Sequence, residues 1–166
     1  MMKRYIGLLL MALTLLGAGE GNVTKSQKPA AWINGRDPVY LVDLKKYPKF
    51  SAKMLLKNGK TIEFASVKSM LNFYYHPEKY PGFGVRDRRQ IGEMFVKDYL
   101  DGTEIPLRKA WYVFGSRIVG PHGDDLIPLS SKARAELFTK RYGGTKIMSF
   151  KELGEKGYGL IRYLDM

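Results

Sequence analysis

The chain has 166 residues, with 28 lysine and arginine residues against 16 aspartate and glutamate residues and a formal net charge of +12. This length is enough for one domain or for two small packed lobes. It contains no cysteine, which excludes disulfides, thiolate metal sites and a cysteine nucleophile. The positive charge favours an acidic protein partner or an anionic membrane surface.

The first nineteen residues have the pattern of an export signal. Met1–Tyr5 is a short, positively charged head, and Ile6–Ala18 is an apolar run that is short for a membrane-spanning helix. We therefore predict a signal peptide over residues 1–19 and a periplasmic protein, with an uncleaved anchor as the alternative. An exported chain is not expected to bind nucleic acid. Gly19 stands where a bacterial lipobox has its acylated cysteine, so we expect no lipid anchor and at most peripheral membrane contact.

The next segments run from a lead-in to a hairpin. Residues 20–31 are polar and predict a flexible lead-in. Val39–Val42, between two prolines, indicates a short strand. Every second residue from 52 to 56 is apolar, and apolar and polar residues alternate over 61–64, with an Asn-Gly pair at 58–59. This pattern predicts a hairpin closed by a type I′ turn.

A helix and a further strand complete the first half of the chain. Ser66 can cap a helix by accepting a backbone N–H with its side chain. Apolar residues at helical spacing then form one face: Val67, Met70, Leu71 and Tyr74. Pro77 ends the helix, and residues 90–100 predict the next strand. These elements form a first ββαβ unit over residues 32–101.

The second half repeats this order of elements. We predict strands at 111–115 and 126–129, a helix from Ser130 or Ser131 to Gly143, and a strand at 146–150. A capping box of Ser149 and Glu152 predicts a short C-terminal helix. An alignment at an offset of 64 residues supports a second ββαβ unit over residues 102–166. The expected fold class is α+β, with two ββαβ units packed into one body.

Several motifs, taken together, resemble the NosL family. They are Lys-Tyr-Pro-Lys at 46–49, Asn-Gly-Lys at 58–60, Phe-Ala-Ser-Val-Lys-Ser-Met at 64–70, and the block from Gly115-Ser116 through Gly120-Pro121 to Pro128. The resemblance covers roughly residues 40–152, and its most specific part is 115–128. NosL proteins are copper-binding accessory lipoproteins of nitrous oxide reductase maturation. Their pair of ββαβ units, distantly similar to organomercurial lyase, is the fold that the resemblance implies.

The chain departs from the family pattern at the residues that would bind metal. The family usually carries a Cys-Gly-Met segment before the Lys-Tyr-Pro region, and residues 36–43 contain no cysteine. The family's Gly-Pro-Met-Gly-His turn reads Gly-Pro-His-Gly-Asp at 120–124. His122 thus stands at the thioether position and Asp124 at the imidazole position. The chain thus resembles the family as a divergent member that lacks the family's cysteines.

The glycine turn carries the candidate metal site. His122, one of two histidines, lies there with Asp124 and Asp125 beside it. Imidazole and carboxylate ligands suit Cu(II), Zn(II) or Ni(II), whereas Cu(I) favours thiolate and thioether ligands. A thioether would come from a methionine that folding brings close: Met70, Met54 or Met94. We take His122, Asp124 and Met70 as the candidate ligands and copper as the expected ion.

Structural roles are the alternative for the same residues. His122 can be a turn residue whose ring bonds to a neighbouring aspartate, and Met70 at helical spacing can be core packing. Arg86–Arg89 is a solvated loop or a surface that steers an acidic partner. The aromatic residues near it form an interface patch or pack in the ordinary way: Tyr74, Tyr75, Tyr80 and Phe83.

Two functions follow from this reading. The first is an exported NosL-like accessory protein that binds or delivers copper, or another metal, during metalloenzyme maturation such as nitrous oxide reductase assembly. Its partners would be periplasmic or membrane-bound metal-centre assembly proteins with an acidic surface. The second is a metal-free periplasmic interaction or scaffold module that kept the fold. No catalytic motif or phosphate loop occurs, so we do not expect an enzyme.

Overall fold

A computed structural model describes residues 34–153, and the predicted signal peptide at 1–19 and lead-in at 20–31 lie outside this range. The main elements, in chain order, are β1 (Ala52–Leu56), β2 (Thr61–Phe64), α1 (Val67–Tyr75), β3 (Ile91–Lys97), β4 (Glu104–Pro106), β5 (Trp111–Phe114), β6 (Ile127–Leu129), α2 (Lys132–Tyr142) and β7 (Lys146–Ser149). Short 3₁₀ turns connect them at Leu44–Lys46, Pro77–Lys79, Pro81–Phe83, Arg88–Gln90 and Leu107–Lys109.

The strands form two antiparallel sheets that share one topology. The first sheet has the order β2-β1-β3-β4, and the second has the order β6-β5-β7. In each, a hairpin is followed by a helix, and the next strand pairs with the first strand of the hairpin. This arrangement confirms the α+β fold with two ββαβ units. Strand β4 adds to the first sheet, which therefore extends beyond residue 101.

The β1–β2 hairpin is confirmed, but its turn is not of type I′. Ala52, Met54 and Leu56 are buried, as the alternation predicts. The N–H of Gly59 donates to the Leu56 carbonyl (2.9 Å), and Gly59 has a φ of 82°. Asn58 has no positive φ, which a type I′ turn would require at that position. The connection over residues 57–60 instead has Gly59 in the left-handed conformation.

A tight turn centred on Asp37 precedes the first unit. The N–H of Asp37 donates to the Val42 carbonyl (2.8 Å), and its carbonyl accepts from the Leu41 N–H (2.9 Å). The buried carboxylate accepts from the Ala65 N–H (2.7 Å) and from the Ser69 hydroxyl (2.6 Å). Asp37 thereby fastens the turn to the start of α1.

The same arrangement precedes the second unit, centred on Asp98. The N–H of Asp98 donates to the Thr103 carbonyl (2.8 Å), and its carbonyl accepts from the Gly102 N–H (2.7 Å). Its buried carboxylate accepts from the Ser130 N–H (2.8 Å) and from the Arg134 guanidinium (2.8 Å). Asp98 therefore links the end of β3 to the start of α2.

The two aspartate turns correct two predictions. Residues 39–42 form a turn rather than a strand, because Leu41 has a φ of 59° and closes the Asp37 turn. The repeat has an offset of 65 residues at the helices rather than 64, since Ser66 and Ser131 are the two N-caps. The left-handed position is filled by Leu41 in the first turn and by Gly102 (φ 79°) in the second.

Two caps predicted from the sequence of the second unit are present in the structure. Gly143, with a φ of 75°, caps the C-terminus of α2. The Ser149 hydroxyl accepts from the Glu152 N–H (3.3 Å), while the Glu152 carboxylate accepts from the Ser149 N–H (2.7 Å). This capping box is confirmed, and residues 150–153 are helical.

The hydrophobic core joins the two units. One cluster contains Met54 and Phe73 from the first unit together with Tyr112 and Met148 from the second. A smaller cluster packs α2 onto the other side of β5: Val113, Ile127, Leu129, Ala135 and Phe138. Strand β5 thus places alternate side chains in two cores, and the second sheet lies between the first unit and α2. Within residues 34–153, no helix is long and apolar enough to cross a membrane.

The Asp98–Arg134 pair predicts a loss of stability in acid. Burial alone would raise the pKa of Asp98, but hydrogen bonds from Arg134, Ser130 and Leu100 hold that pKa below its usual value. A carboxyl whose pKa is depressed on folding stabilises the fold above its unfolded pKa of about 4, and this contribution is lost as pH falls through the folded pKa. In Arg134→Met, we expect the free energy of unfolding at pH 7 to fall by about 2 kcal/mol.

Urea denaturation at pH 7 and at pH 2 to 4 measures this effect. Lys132→Met is the matched control, because Lys132 makes an exposed ion pair with Glu136 (4.0 Å). We expect this substitution to change the free energy of unfolding by less than about 0.5 kcal/mol. A wild-type stability that is the same at pH 2 and pH 7 would contradict the role given to Asp98.

Candidate functional site

The two hairpins differ in their connections, and the longer connection carries the candidate site. Residues 57–60 join β1 to β2, whereas residues 115–126, the β5–β6 loop, join β5 to β6. Within this loop, Gly120 and Gly123 form an isolated β-bridge in which the Gly120 N–H donates to the Gly123 carbonyl (2.8 Å). Gly123 has a φ of 84°. The bridge places Pro121 and His122 at the tip of a narrow turn.

The ring of His122 lies flat against a ring from the first unit. Its centroid is 4.4 Å from that of Tyr40, and the two planes differ by 5°. Tyr40 belongs to the Asp37 turn, which fixes its backbone, because the Tyr40 N–H donates to the Asp37 carboxylate (2.8 Å). The stack therefore brings together a turn of the first unit and a loop of the second.

Lys68 lies beneath this stack as a fully buried cation. Its Nζ donates to the His122 carbonyl (2.6 Å) and is 5.5 Å from the centroid of the Tyr40 ring. That distance is within the range of a cation–π interaction. Lys68 is the second residue of α1, where a positive charge is disfavoured by the helix dipole. Its contacts with the loop and the ring offset that cost.

Asp125 is the buried carboxylate of the same site. Its Oδ1 accepts from the Lys68 N–H (3.1 Å) and from the Leu126 N–H (2.8 Å). Burial raises the pKa of Asp125 to about 6, while hydrogen bonds from Ser66, Leu126 and Lys68 and the Lys68 charge act in the opposite direction. Its Oδ2 has no hydrogen-bond partner in the part of the chain that the structure describes.

Gly120 makes room for this carboxylate. A Cβ at position 120 would lie 2.6 Å from Asp125 Oδ2 and 2.8 Å from its Cβ. Such distances are far shorter than van der Waals contact, so a larger residue would have to displace Asp125 or the loop. Glycine at 120 is therefore required by close packing rather than by its backbone dihedral angles.

The structure places the predicted metal ligands in two environments. His122 and Asp124 are exposed on the β5–β6 loop. Met70 is fully buried in the core that joins the units, and Met54 and Met94 face each other across β1 and β3 in the same core. Across residues 34–153, no group of three histidine, cysteine, aspartate or glutamate side chains is placed to hold a metal ion.

Other candidate features take structural positions. The four aromatic side chains near the arginine loop all pack against the first core: Tyr74, Tyr75, Tyr80 and Phe83. In the loop itself, Asp87 caps a 3₁₀ turn and pairs with the exposed Arg89 (2.8 Å). His76 lies 3.3 Å from Glu78. The aromatic rings thus contribute mainly to the fold of the first unit.

Tyr40 and Lys68 are the site residues that the sequence did not reveal. Both lie far along the chain from His122, so no local pattern connects them. One signal was present: a lysine in the first turn of a helix opposes the helix dipole and suggests a specific partner. The position of Tyr40 had no comparable signal, because it depends on the turn at Asp37.

Comparisons with known proteins agree with the fold and the motifs. A family model described as NosL matches residues 38–157. The chain is similar to the crystal structure of the copper chaperone NosL from Shewanella denitrificans, with 27% identity and a TM-score of 0.57 over 70% of this chain and 87% of that chain. The solution structure of the apo-NosL protein from Achromobacter cycloclastes matches with 23% identity and a TM-score of 0.43 over 61% and 82%. No curated protein matches.

The packing of Gly120 yields a stability prediction. In Gly120→Ala, the new methyl group would collide with Asp125, so we expect the free energy of unfolding to fall by about 1–3 kcal/mol. Gly82→Ala is the control, because nothing lies within 4 Å of a Cβ there, and we expect a change within about 0.5 kcal/mol. Urea denaturation measures both variants, and equal stabilities would rule out the tight contact at Gly120.

Proposed function

The chain belongs to the NosL family, and we propose that it is an accessory protein that binds or delivers copper, or another metal, during metalloenzyme maturation such as nitrous oxide reductase assembly. The observation that carries the proposal is the family match over residues 38–157, joined to the likeness to a structure named as a copper chaperone. In this proposal the chain handles the metal as cargo and is not an enzyme. Export to the periplasm is part of the proposal and is supported by the sequence of residues 1–19.

The metal would bind at the tip of the β5–β6 loop. His122 and Asp124 are exposed there, and an imidazole and a carboxylate together suit Cu(II) or Zn(II) better than Cu(I). Met70, the third candidate ligand, is fully buried in the core, whereas the other two are exposed. Two exposed ligands favour weak binding, which suits the transfer of an ion rather than its storage.

The partners we propose are periplasmic or membrane-bound metal-centre assembly proteins with an acidic surface. The formal net charge of +12 supports this chemistry, because a strongly basic protein is attracted to acidic surfaces and repelled from basic ones. The attraction would bring the exposed loop to an acceptor and would weaken as salt is added.

Anaerobic titration with Cu(I), Cu(II) and Zn(II) tests the metal function. We expect the purified chain to bind an ion one-to-one, and we expect His122→Ala to abolish the binding because it removes the imidazole ligand. His76→Ala is the matched control, since His76 is the other histidine and lies beside Glu78 on a different turn. Equal binding by the wild type and by both variants would show that the loop does not hold the ion.

A second candidate function is a metal-free interaction module, and a strained residue beside the loop favours it. Leu41 has a φ of 59° and exposes 41% of its surface, although the equivalent position in the second unit is Gly102. The left-handed conformation costs a leucine about 1–2 kcal/mol. Leu41 adjoins Tyr40, and Val119, which is 63% exposed, adjoins Gly120 of the stacked loop. Two exposed apolar side chains thus lie close in sequence to the two residues of the stack, Tyr40 and His122.

Leu41→Gly separates stability from partner binding. We expect this variant to be more stable by about 0.5–1 kcal/mol, because the relief of backbone strain exceeds the entropy cost of glycine. We expect it to bind a purified acidic copper-handling partner at least about tenfold more weakly, in keeping with the loss of a central apolar contact. Thermal unfolding and a salt-dependent binding titration measure the two effects.

Leu137→Gly is the control for the binding measurement on Leu41→Gly, because Leu137 is an exposed leucine that lies elsewhere, on α2. If both variants bind the partner as well as the wild type does, Leu41 is not part of an interface.

A further inference from the structure

We propose that Lys68 determines the charge selectivity of the β5–β6 loop, lowering the affinity of the loop for divalent ions more than for monovalent ions. The inference rests on the proposed metal function and adds a residue that is not itself a ligand. The ligands at the loop tip, imidazole and carboxylate, would by themselves favour divalent ions. A fixed positive charge beside them acts in the opposite direction.

The position of Lys68 makes its charge felt at the loop tip. The ammonium donates to the His122 carbonyl (2.6 Å) and lies 5.5 Å from the Tyr40 ring centroid, while the imidazole lies 4.4 Å from that same centroid. The imidazole that would bind the ion and the ammonium of Lys68 therefore both lie next to the Tyr40 ring. Because Lys68 is fully buried, water and salt screen its charge poorly.

The charge of Lys68 also acts on the buried carboxylate of Asp125. Asp125 contacts the Lys68 backbone N–H (3.1 Å), and the Lys68 charge acts on its carboxylate. Asp124, at the surface, is then the negative charge that remains available to an ion. Without the ammonium, Asp124 and Asp125 together would make the loop anionic and attractive to cations.

Coulomb's law gives the size of the effect and its dependence on ion charge. The interaction of an ion with a fixed charge is proportional to the charge of the ion, so the logarithm of the affinity change for a divalent ion is twice that for a monovalent one. At a separation on the order of 10 Å and an effective dielectric constant of about 20, removing the ammonium raises affinity about tenfold for a monovalent ion and about a hundredfold for a divalent ion.

Lys68→Gln in the full chain tests the proposal, because glutamine keeps a donor for the His122 carbonyl and removes the charge. Calorimetric titration at pH 8 with Cu(I) under anaerobic conditions, and separately with Zn(II), measures both affinities. We expect both to rise, with the change in log affinity for Zn(II) twice that for Cu(I). Lys132→Gln is the control, since it removes an exposed lysine from the start of α2.

Lys68→Met and Asp125→Asn keep the test decisive if Lys68→Gln fails to fold. Methionine removes charge and donor together and should reproduce the two-to-one ratio, whereas Asp125→Asn should lower both affinities in that ratio. Equal gains for the two ions, or no gain, would overturn the proposal. If wild type binds no ion and Lys68→Gln binds Zn(II), the selectivity of Lys68 stands and the metal function of the natural chain fails. If the wild type binds an ion and the variants bind it with the same affinity, the metal function stands and the selectivity role of Lys68 fails.

Discussion

Buried carboxylates link the N-termini of the two helices to the turns and the loop packed against them. A helix begins with backbone N–H groups that have no partner within the helix, and a carboxylate there satisfies them and interacts favourably with the helix dipole. Asp37 and Asp98 lie at this end of α1 and α2 in the same way, each accepting from the backbone N–H of the residue before the N-cap and from the side chain of the third residue of the helix. Asp125 adds a bond to α1 from the opposite unit. These contacts link the turn that carries Tyr40, and the end of the β5–β6 loop, to the start of α1.

The candidate site lies where the internal repeat breaks. The two ββαβ units have the same topology, but the connections within their hairpins differ in length. The first is a short turn at Gly59, and the second is the β5–β6 loop. The longer loop reaches back to α1 of the first unit, where Lys68 meets the carbonyl of His122. By the repeat offset, the position equivalent to Lys68 in α2 is Ala133, which has no charge to offer. The site is thus a property of the pair of units and of neither unit alone.

Local patterns in the sequence were sufficient to predict most helices and strands, but not the tertiary contacts between them. The alternation around Met54 gave the hairpin, and Ser66 and Ser149 gave helix starts, because each signal lies within a few residues of the structure it specifies. The prediction of a strand at 39–42 was wrong, since its apolar residues close a turn around an aspartate whose partners lie on α1. The stack of Tyr40 on His122 joins residues too distant in sequence for any spacing rule, and only the tertiary fold brings them together.

Two energetically unfavourable features lie beside Tyr40, and they support the proposal that the surface there binds a partner. Burial of an ammonium at the start of a helix is costly unless every contact is made, and a leucine in the left-handed region is strained. Lys68 lies beneath the ring and Leu41 is its neighbour in the chain. Strain of this kind is typical of binding and switching sites, where the surrounding structure enforces it. Glycine at the equivalent turn of the second unit shows that the fold itself does not require the strain.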